Sequence, residues 1–175
     1  MKKLILVLIL AIMVAGGAFA EWYDSYAPGI EGYTFLVNIG IGYGFLPYNM
    51  AFPPVSVSVE YMLDFIPLSV GGYVGYTAYK ETVAGWGTYD GTMLGIGAKA
   101  SWHFNFFENF DPYVSLTAGW LIWNEKLGTV NSGLSTFFYS GNIGARYFFT
   151  NNIGAYIELG YSAISVASIG LALKF

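Results

Sequence analysis

Six ionisable side chains occur at alternate positions of strand-like stretches: Glu60, Lys99, His103, Arg146, Glu158 and Lys174. His103 is the only histidine and there is no cysteine, so the acid–base and metal chemistry open to the chain is narrow. Acyl transfer needs a nucleophile beside a base. The one imidazole lies among alternating residues near one end of its stretch, which suits a hydrogen-bonder better than a base. Asp24, Asp64, Asp90 and Asp111 fall at the N-terminus or in turn-like stretches with no evident partner. One histidine without cysteine makes no zinc-type ligand set. The segment "GIGYG" at 40–44 lacks the following helix and acidic ribose partner of a dinucleotide loop. These features argue against an enzyme and call for no cofactor. What the charges do instead depends on the elements that carry them.

Those elements have a period of two. From Tyr33 to Phe45 the odd positions are Tyr33, Phe35, Val37, Ile39, Ile41, Tyr43 and Phe45; the even ones are Thr34, Leu36, Asn38, Gly40, Gly42 and Gly44. Successive side chains of a strand point to opposite faces, so one face is apolar and the other largely small or polar. The same alternation returns over Val55–Leu63, Leu68–Tyr79, Thr92–Phe104, Val114–Ile122, Phe137–Phe148, Ile153–Tyr161 and Ala167–Phe175. Eight strands and no helix follow the first 20 residues. Turn-like stretches at 64–67, 105–111 and 150–152 alternate with longer ones at 46–54, 81–91 and 124–133, and a short connection lies around 162–165. That rhythm predicts an all-β fold, an eight-stranded antiparallel up-and-down transmembrane β-barrel with its longer loops on one side.

The first 20 residues read differently. Lys2 and Lys3 precede an apolar run from Leu4 to Ala15, and Ala18-Phe19-Ala20 closes the segment with small residues at the cleavage positions. This is the layout of a secretory signal peptide, expected to be removed after Ala20. Its apolar core is shorter than the ~20 residues that span a bilayer. The expected organisation is 1–20 signal peptide, 21–32 N-terminal periplasmic segment and 33–175 barrel. Without Lys2 and Lys3, 5 basic side chains remain against 11 acidic ones, a net charge of −6. Such a surface offers no basic stripe for nucleic acid.

Hydrophobic residues make up 55% of the chain and mean hydropathy is +0.53. A soluble eight-stranded barrel would turn its apolar faces inward. Here those faces carry no charge within the eight spans, while the opposite faces are rich in Gly, Ser and Thr with isolated charges. Facing water, the apolar faces would form a patch far beyond the several hundred Å² of a soluble monomer. Their aromatics also sort by depth. Tyr33, Phe35, Tyr61, Trp102, Phe104 and Tyr147 fall near one end; Tyr43, Phe45, Trp120, Phe137, Tyr139 and Tyr161 fall near the other, with aliphatic residues between. Two girdles around an aliphatic band are the mark of a lipid-facing outer-membrane barrel.

The inward set then lies in a narrow lumen, which side chains fill or which holds one small ligand. The expected charge network is Glu60, Lys99, His103, Arg146 and Glu158, with Arg146 and Glu158 diagonal neighbours across the 150–152 turn. The bland reading is a structural plug; the sharper one is a polar pathway for small solutes. Inward Tyr73, Tyr79 and Tyr156 are expected to lie across gaps left by inward glycines, since glycine inside a strand needs something packed close to it. Should they not, the gaps leave a pocket for a lipid-like ligand. The longer loops, with Tyr48, Phe52, Trp86, Tyr89 and Lys126, offer a small adhesive surface.

The end of the chain, "SIGLALKF" at 168–175, resembles the C-terminal signal of bacterial outer-membrane proteins. Ser168, Gly170, Leu173 and the terminal Phe175 match its polar, glycine, apolar and aromatic positions. "GARYFFTNNIGAYIELGYS", 144–162, resembles the penultimate hairpin of small porin-like outer-membrane β-barrel domain proteins. The resemblance implies insertion by the barrel-assembly machinery into the bacterial outer membrane, contact with its lipid, and a monomer. That family is functionally mixed, so location and fold are implied rather than an activity: structural or porin-like, alternatively ligand-binding or adhesive.

Overall fold

The computed structural model describes residues 30, 32–44, 50–83, 87–104, 108–127 and 130–175. The expected signal peptide, Phe45, Tyr48 and Trp86 lie outside them. Eight strands run in chain order: β1 Phe35–Tyr43, β2 Met50–Met62, β3 Leu68–Val83, β4 Gly87–His103, β5 Phe110–Leu127, β6 Val130–Phe148, β7 Ile153–Tyr161 and β8 Ala167–Lys174. Each pairs antiparallel with its sequence neighbours, and β1 pairs antiparallel with β8, so the sheet closes into a barrel. Closure leaves no edge along the shared height of the strands. The seam extends past β8: Phe35 N donates to Phe175 O at 2.9 Å and Phe175 N to Phe35 O at 3.0 Å.

Alternation carries through to exposure. On β5, Val114, Leu116 and Trp120 are exposed at 42%, 72% and 61%, while Ser115 and Thr117 between them stand at 3% and 4%. On this strand the apolar residues face outward and the small polar ones inward. The girdle residues Tyr33, Phe35, Tyr43, Trp120, Phe137, Tyr139, Tyr147 and Tyr161 are exposed on the outer face; Tyr61, Trp102 and Phe104 are partly covered. Tyr33 and Phe35 both pack on Tyr61, and Trp120 meets Phe137 edge-on with ring centroids 5.7 Å apart.

The strand lengths correct the expected loops. β3 continues to Val83 and β4 begins at Gly87; β5 continues to Leu127 and β6 begins at Val130. The stretches 81–91 and 124–133 are thus mostly hairpin strands rather than loops, and Phe52, Tyr89 and Lys126 lie on β2, β4 and β5. Their turn-like composition reflects strand ends whose outward faces are polar: Lys80, Asp90, Asn124 and Lys126. β1, β7 and β8 have 9, 9 and 8 residues, whereas β3 to β6 have 16 to 19. Roughly 9–11 residues cross a bilayer, so β3–β6 project as a curved wall above the upper rim, the rim away from the start of β1. At β2 the register shifts twice between Met50 and Val55, where Pro53 and Pro54 lack the N–H groups a regular ladder needs.

Candidate functional site: the ionic core of the barrel

Three groups of buried side chains occupy the interior among the described residues. Near the lower rim, Ile30, Leu36, Met62, Phe148, Tyr156 and Ala172 form an apolar cluster. Ile30, which precedes β1, is thus packed inside the barrel. Toward the upper rim Tyr73, Tyr79, Met93, Leu121, Phe138, Ala163 and Ile164 form a second cluster, with Trp123 packed against it. Between them lies a hydrogen-bonded network drawn from β1 through β7.

Arg146 is its hub. The guanidinium donates through Nε to Asn38 Oδ1 at 3.0 Å, through Nη1 to Asp111 Oδ2 at 2.7 Å and through Nη2 to Glu60 Oε1 at 2.8 Å. Its centre sits 4.1 Å from the centroid of the Tyr113 ring, a cation–π placement. Lys99 Nζ lies 2.5 Å from Glu158 Oε1 and 3.5 Å from Glu60 Oε1. Tyr113 donates its hydroxyl to the same Glu158 oxygen at 2.7 Å. The other Glu60 oxygen accepts from Ser69 at 2.8 Å and from Ser101. His103 joins Asp111 Oδ1 through Nδ1 and Ser69 Oγ through Nε2, both at 2.8 Å. Arg146 and Glu60 are each 1% exposed and Lys99 3%. Ions taken from water at this depth persist only when paired and hydrogen-bonded, and here the three carboxylates and the cations interlock.

The five residues expected to form the network are all present in it, but their pairing differs. Arg146 and Glu158 are diagonal in register, since Arg146 stands opposite Tyr156 and Glu158 opposite Gly144. Even so, Arg146 turns to Glu60 and Asp111, and Lys99 takes Glu158. Asp111, expected in a turn without a partner, is 1% exposed on β5 and binds both Arg146 and His103. Tyr113, Asn38, Ser69 and Ser101 were not singled out by sequence. The signal for the first was available: running the alternation of Ser115 and Thr117 backward places Tyr113 and Asp111 on the same inward face. Pro112 and the aromatic turn before it hid the strand's start. Lys174 lies apart, its Nζ 4.8 Å from the Phe148 ring centroid.

Ser69, His103 and Asp111 form a nucleophile–base–orienter chain like that of acyl-transfer enzymes. Its surroundings rule out that use. Ser69 and His103 are 0% and 1% exposed, and the serine hydroxyl is committed to Glu60. A fluorophosphonate probe should leave the folded protein unlabelled. Ser69→Ala should cost about 1–2 kcal/mol of stability, read by urea titration, because His103 Nε2 and a Glu60 oxygen each lose a buried partner.

Tyrosine rings lie across several of the inward glycines. The hydroxyl ends of Tyr156, Tyr73, Tyr79 and Tyr113 occupy the positions a side chain would take at Gly40, Gly75, Gly91 and Gly144. At the upper rim Trp123 Nε1 donates to Tyr79 Oη at 2.5 Å and Tyr79 donates to Glu125 at 2.6 Å. A cleft of about 400 Å³ opens there, lined by Trp123, Glu125, Ser132, Gly133 and Leu134.

No protein-family model and no curated protein sequence matches the chain. Solved structures share its fold at low identity. The outer membrane protein OprG of Pseudomonas aeruginosa aligns with a TM-score of 0.63 at 14% identity, covering 84% of this chain and 98% of that one. The N-terminal β-barrel domain of OprF from the same organism gives 0.54 at 17%, covering 82% and 98%. Ail, the attachment invasion locus protein of Yersinia pestis, gives 0.54 at 17%, covering 83% and 100%.

Proposed function

We propose that the chain is an integral barrel of a bacterial outer membrane, exported through the periplasm by a cleaved signal peptide, with a closed lumen and a structural rather than catalytic role. The observation that carries this reading is the outer face. From Phe35 to Tyr43, from Val55 to Tyr61 and from Ile153 to Tyr161 every outward residue is uncharged, and charges appear only on the wall above Tyr76, Leu94 and Ile122. Lipid tolerates such a band and requires the paired, edgeless backbone that carries it. The likeness to solved outer-membrane barrels supports the same location. Ser168, Gly170, Leu173 and Phe175 serve as the signal read by the assembly machinery, and lipid surrounds a single copy.

The interior supports a scaffold over a pore. A conducting path would have to pass an arginine hydrogen-bonded at all three of its nitrogens and two apolar clusters. Folded protein should migrate differently on a denaturing gel before and after boiling. In a planar bilayer it should be silent; reproducible current steps altered by Arg146→Gln or Glu158→Gln would overturn the closed lumen. A second reading, a contact surface on the projecting β3–β6 wall, is favoured by the cleft beside Trp123 and Glu125.

A further inference from the structure

Connections between strands normally run over the surface, where water satisfies their backbone. The β7–β8 turn does the opposite. Ser162, Ala163, Ile164 and Ser165 are 8%, 2%, 2% and 4% exposed, and Ala163 and Ile164 belong to the upper apolar cluster. A Cβ placed on Gly75 would come within 2.7 Å of Ile164 Cδ1, and one on Gly95 within 3.3 Å of Ala163 Cβ. The turn therefore shares with the Tyr73 ring the hollow those two glycines leave in the wall.

Four features make it separable from the barrel. Its two serines bond to each other: Ser162 N donates to Ser165 O at 2.9 Å, Ser165 N to Ser162 Oγ at 2.9 Å, and Ser162 Oγ to Ser165 O at 2.8 Å. Moving it outward therefore breaks few bonds to the rest of the barrel, chiefly Ser165 Oγ with Ser168 Oγ at 3.2 Å and Val166 N to Tyr43 O at 2.9 Å. Among the described residues no ion holds it to the cluster: Ala163 and Ile164 pack there, and Ser162 lies against the Tyr73 hydroxyl. Its base holds Gly160, at φ 152°, which a residue with a side chain rarely adopts. Finally, the barrel leaves it a way out. β7 pairs with β6 only from Phe148 to Gly141, while β6 continues to Val130, and among the described residues no strand lies on that flank of 130–140.

We propose that the turn 162–165 is a hinged stopper. It swings out of the lumen about its Gly160 base and uncovers a chamber lined by Tyr73, Tyr79, Met93, Leu121 and Phe138, whose floor is the ionic network. This goes beyond the closed barrel: the floor stays shut whether or not the stopper moves, so bilayer silence leaves the proposal standing.

The chain has no cysteine, which permits a direct test. Ala163→Cys, Met93→Cys and Ala172→Cys place single thiols on the stopper, in the chamber wall and in the lower cluster, at sites 2%, 2% and 0% exposed. Each variant is folded in detergent, verified by its gel shift, and exposed to a water-soluble maleimide. Local opening of one segment in an otherwise folded protein predicts modification at 163 and 93 at least roughly tenfold faster than at 172. Ile164→Cys replaces Ala163→Cys should the latter fail to fold. Equal inertness at all three sites would overturn the proposal, as would equal reactivity at all three.

Discussion

Arg146→Met is expected to lower the unfolding free energy by about 3–5 kcal/mol, the cost of leaving buried charge without its partner. The side chain it removes joins β6 to Asn38 on β1, Glu60 on β2 and Asp111 on β5, three hydrogen bonds to strands that are not all its neighbours. Lys99, Ser69 and Ser101 remain beside Glu60, and His103 beside Asp111, so neither carboxylate is stranded and folding is weakened rather than abolished. Urea titration in detergent, followed by the gel shift, gives the number. Adding Glu60→Gln should recover part of the loss, since it removes one of the buried negative charges left in excess and retains an oxygen; a coupling of 0.5–3 kcal/mol is the usual range for contacting residues. A change below ~1 kcal/mol in the single variant, the level of a solvent-exposed ion pair, would mean that water reaches the network.

Gly170→Val is expected to prevent closure altogether. Gly170 stands opposite Gly40 on β1 and Tyr156 on β7, and a Cβ there would collide with the Ile39 carbonyl oxygen and the Gly40 Cα. The obstacle is backbone, which cannot give way as a flexible side chain would. Because β1–β8 is the seam that removes the sheet's last edges, the loss is all-or-none: unassisted refolding into detergent should yield no heat-modifiable band. Refolding without any assembly machinery matters, because Gly170 is also a position of the proposed C-terminal signal. Normal refolding of the variant would assign the glycine to the signal alone and contradict the tight seam.

The two variants also show what could be read from sequence. A period of two is a property of each strand by itself, so the eight alternations, and the inward placement of Glu60, Lys99, His103, Arg146 and Glu158, were legible one strand at a time. Which carboxylate meets which cation was not. Arg146 passes over Glu158 on the adjacent strand to reach Glu60, 86 positions away in sequence, and that choice depends on barrel closure and on the Tyr113 ring beneath the guanidinium. Strand ends failed for a related reason. Above the girdle the outer face becomes polar, so alternation loses its apolar half, and the extensions of β3–β6 looked like loops. The burial of Ser162–Ser165 left no mark at all: four small or aliphatic residues between strands read as an ordinary turn, and only the glycines opposite them make room inside.

Everything proposed for the interior assumes that the apolar face meets hydrocarbon. Spin labels at Leu116→Cys and Thr117→Cys, adjacent residues exposed at 72% and 4%, test this in protein reconstituted into lipid vesicles. The label at 116 should collide freely with oxygen, which concentrates in hydrocarbon, and be shielded from a water-soluble nickel chelate, while the label at 117 should be immobile and shielded from both. Free access of the chelate to position 116 would show that face to be in water, and the lipid-facing barrel would be wrong.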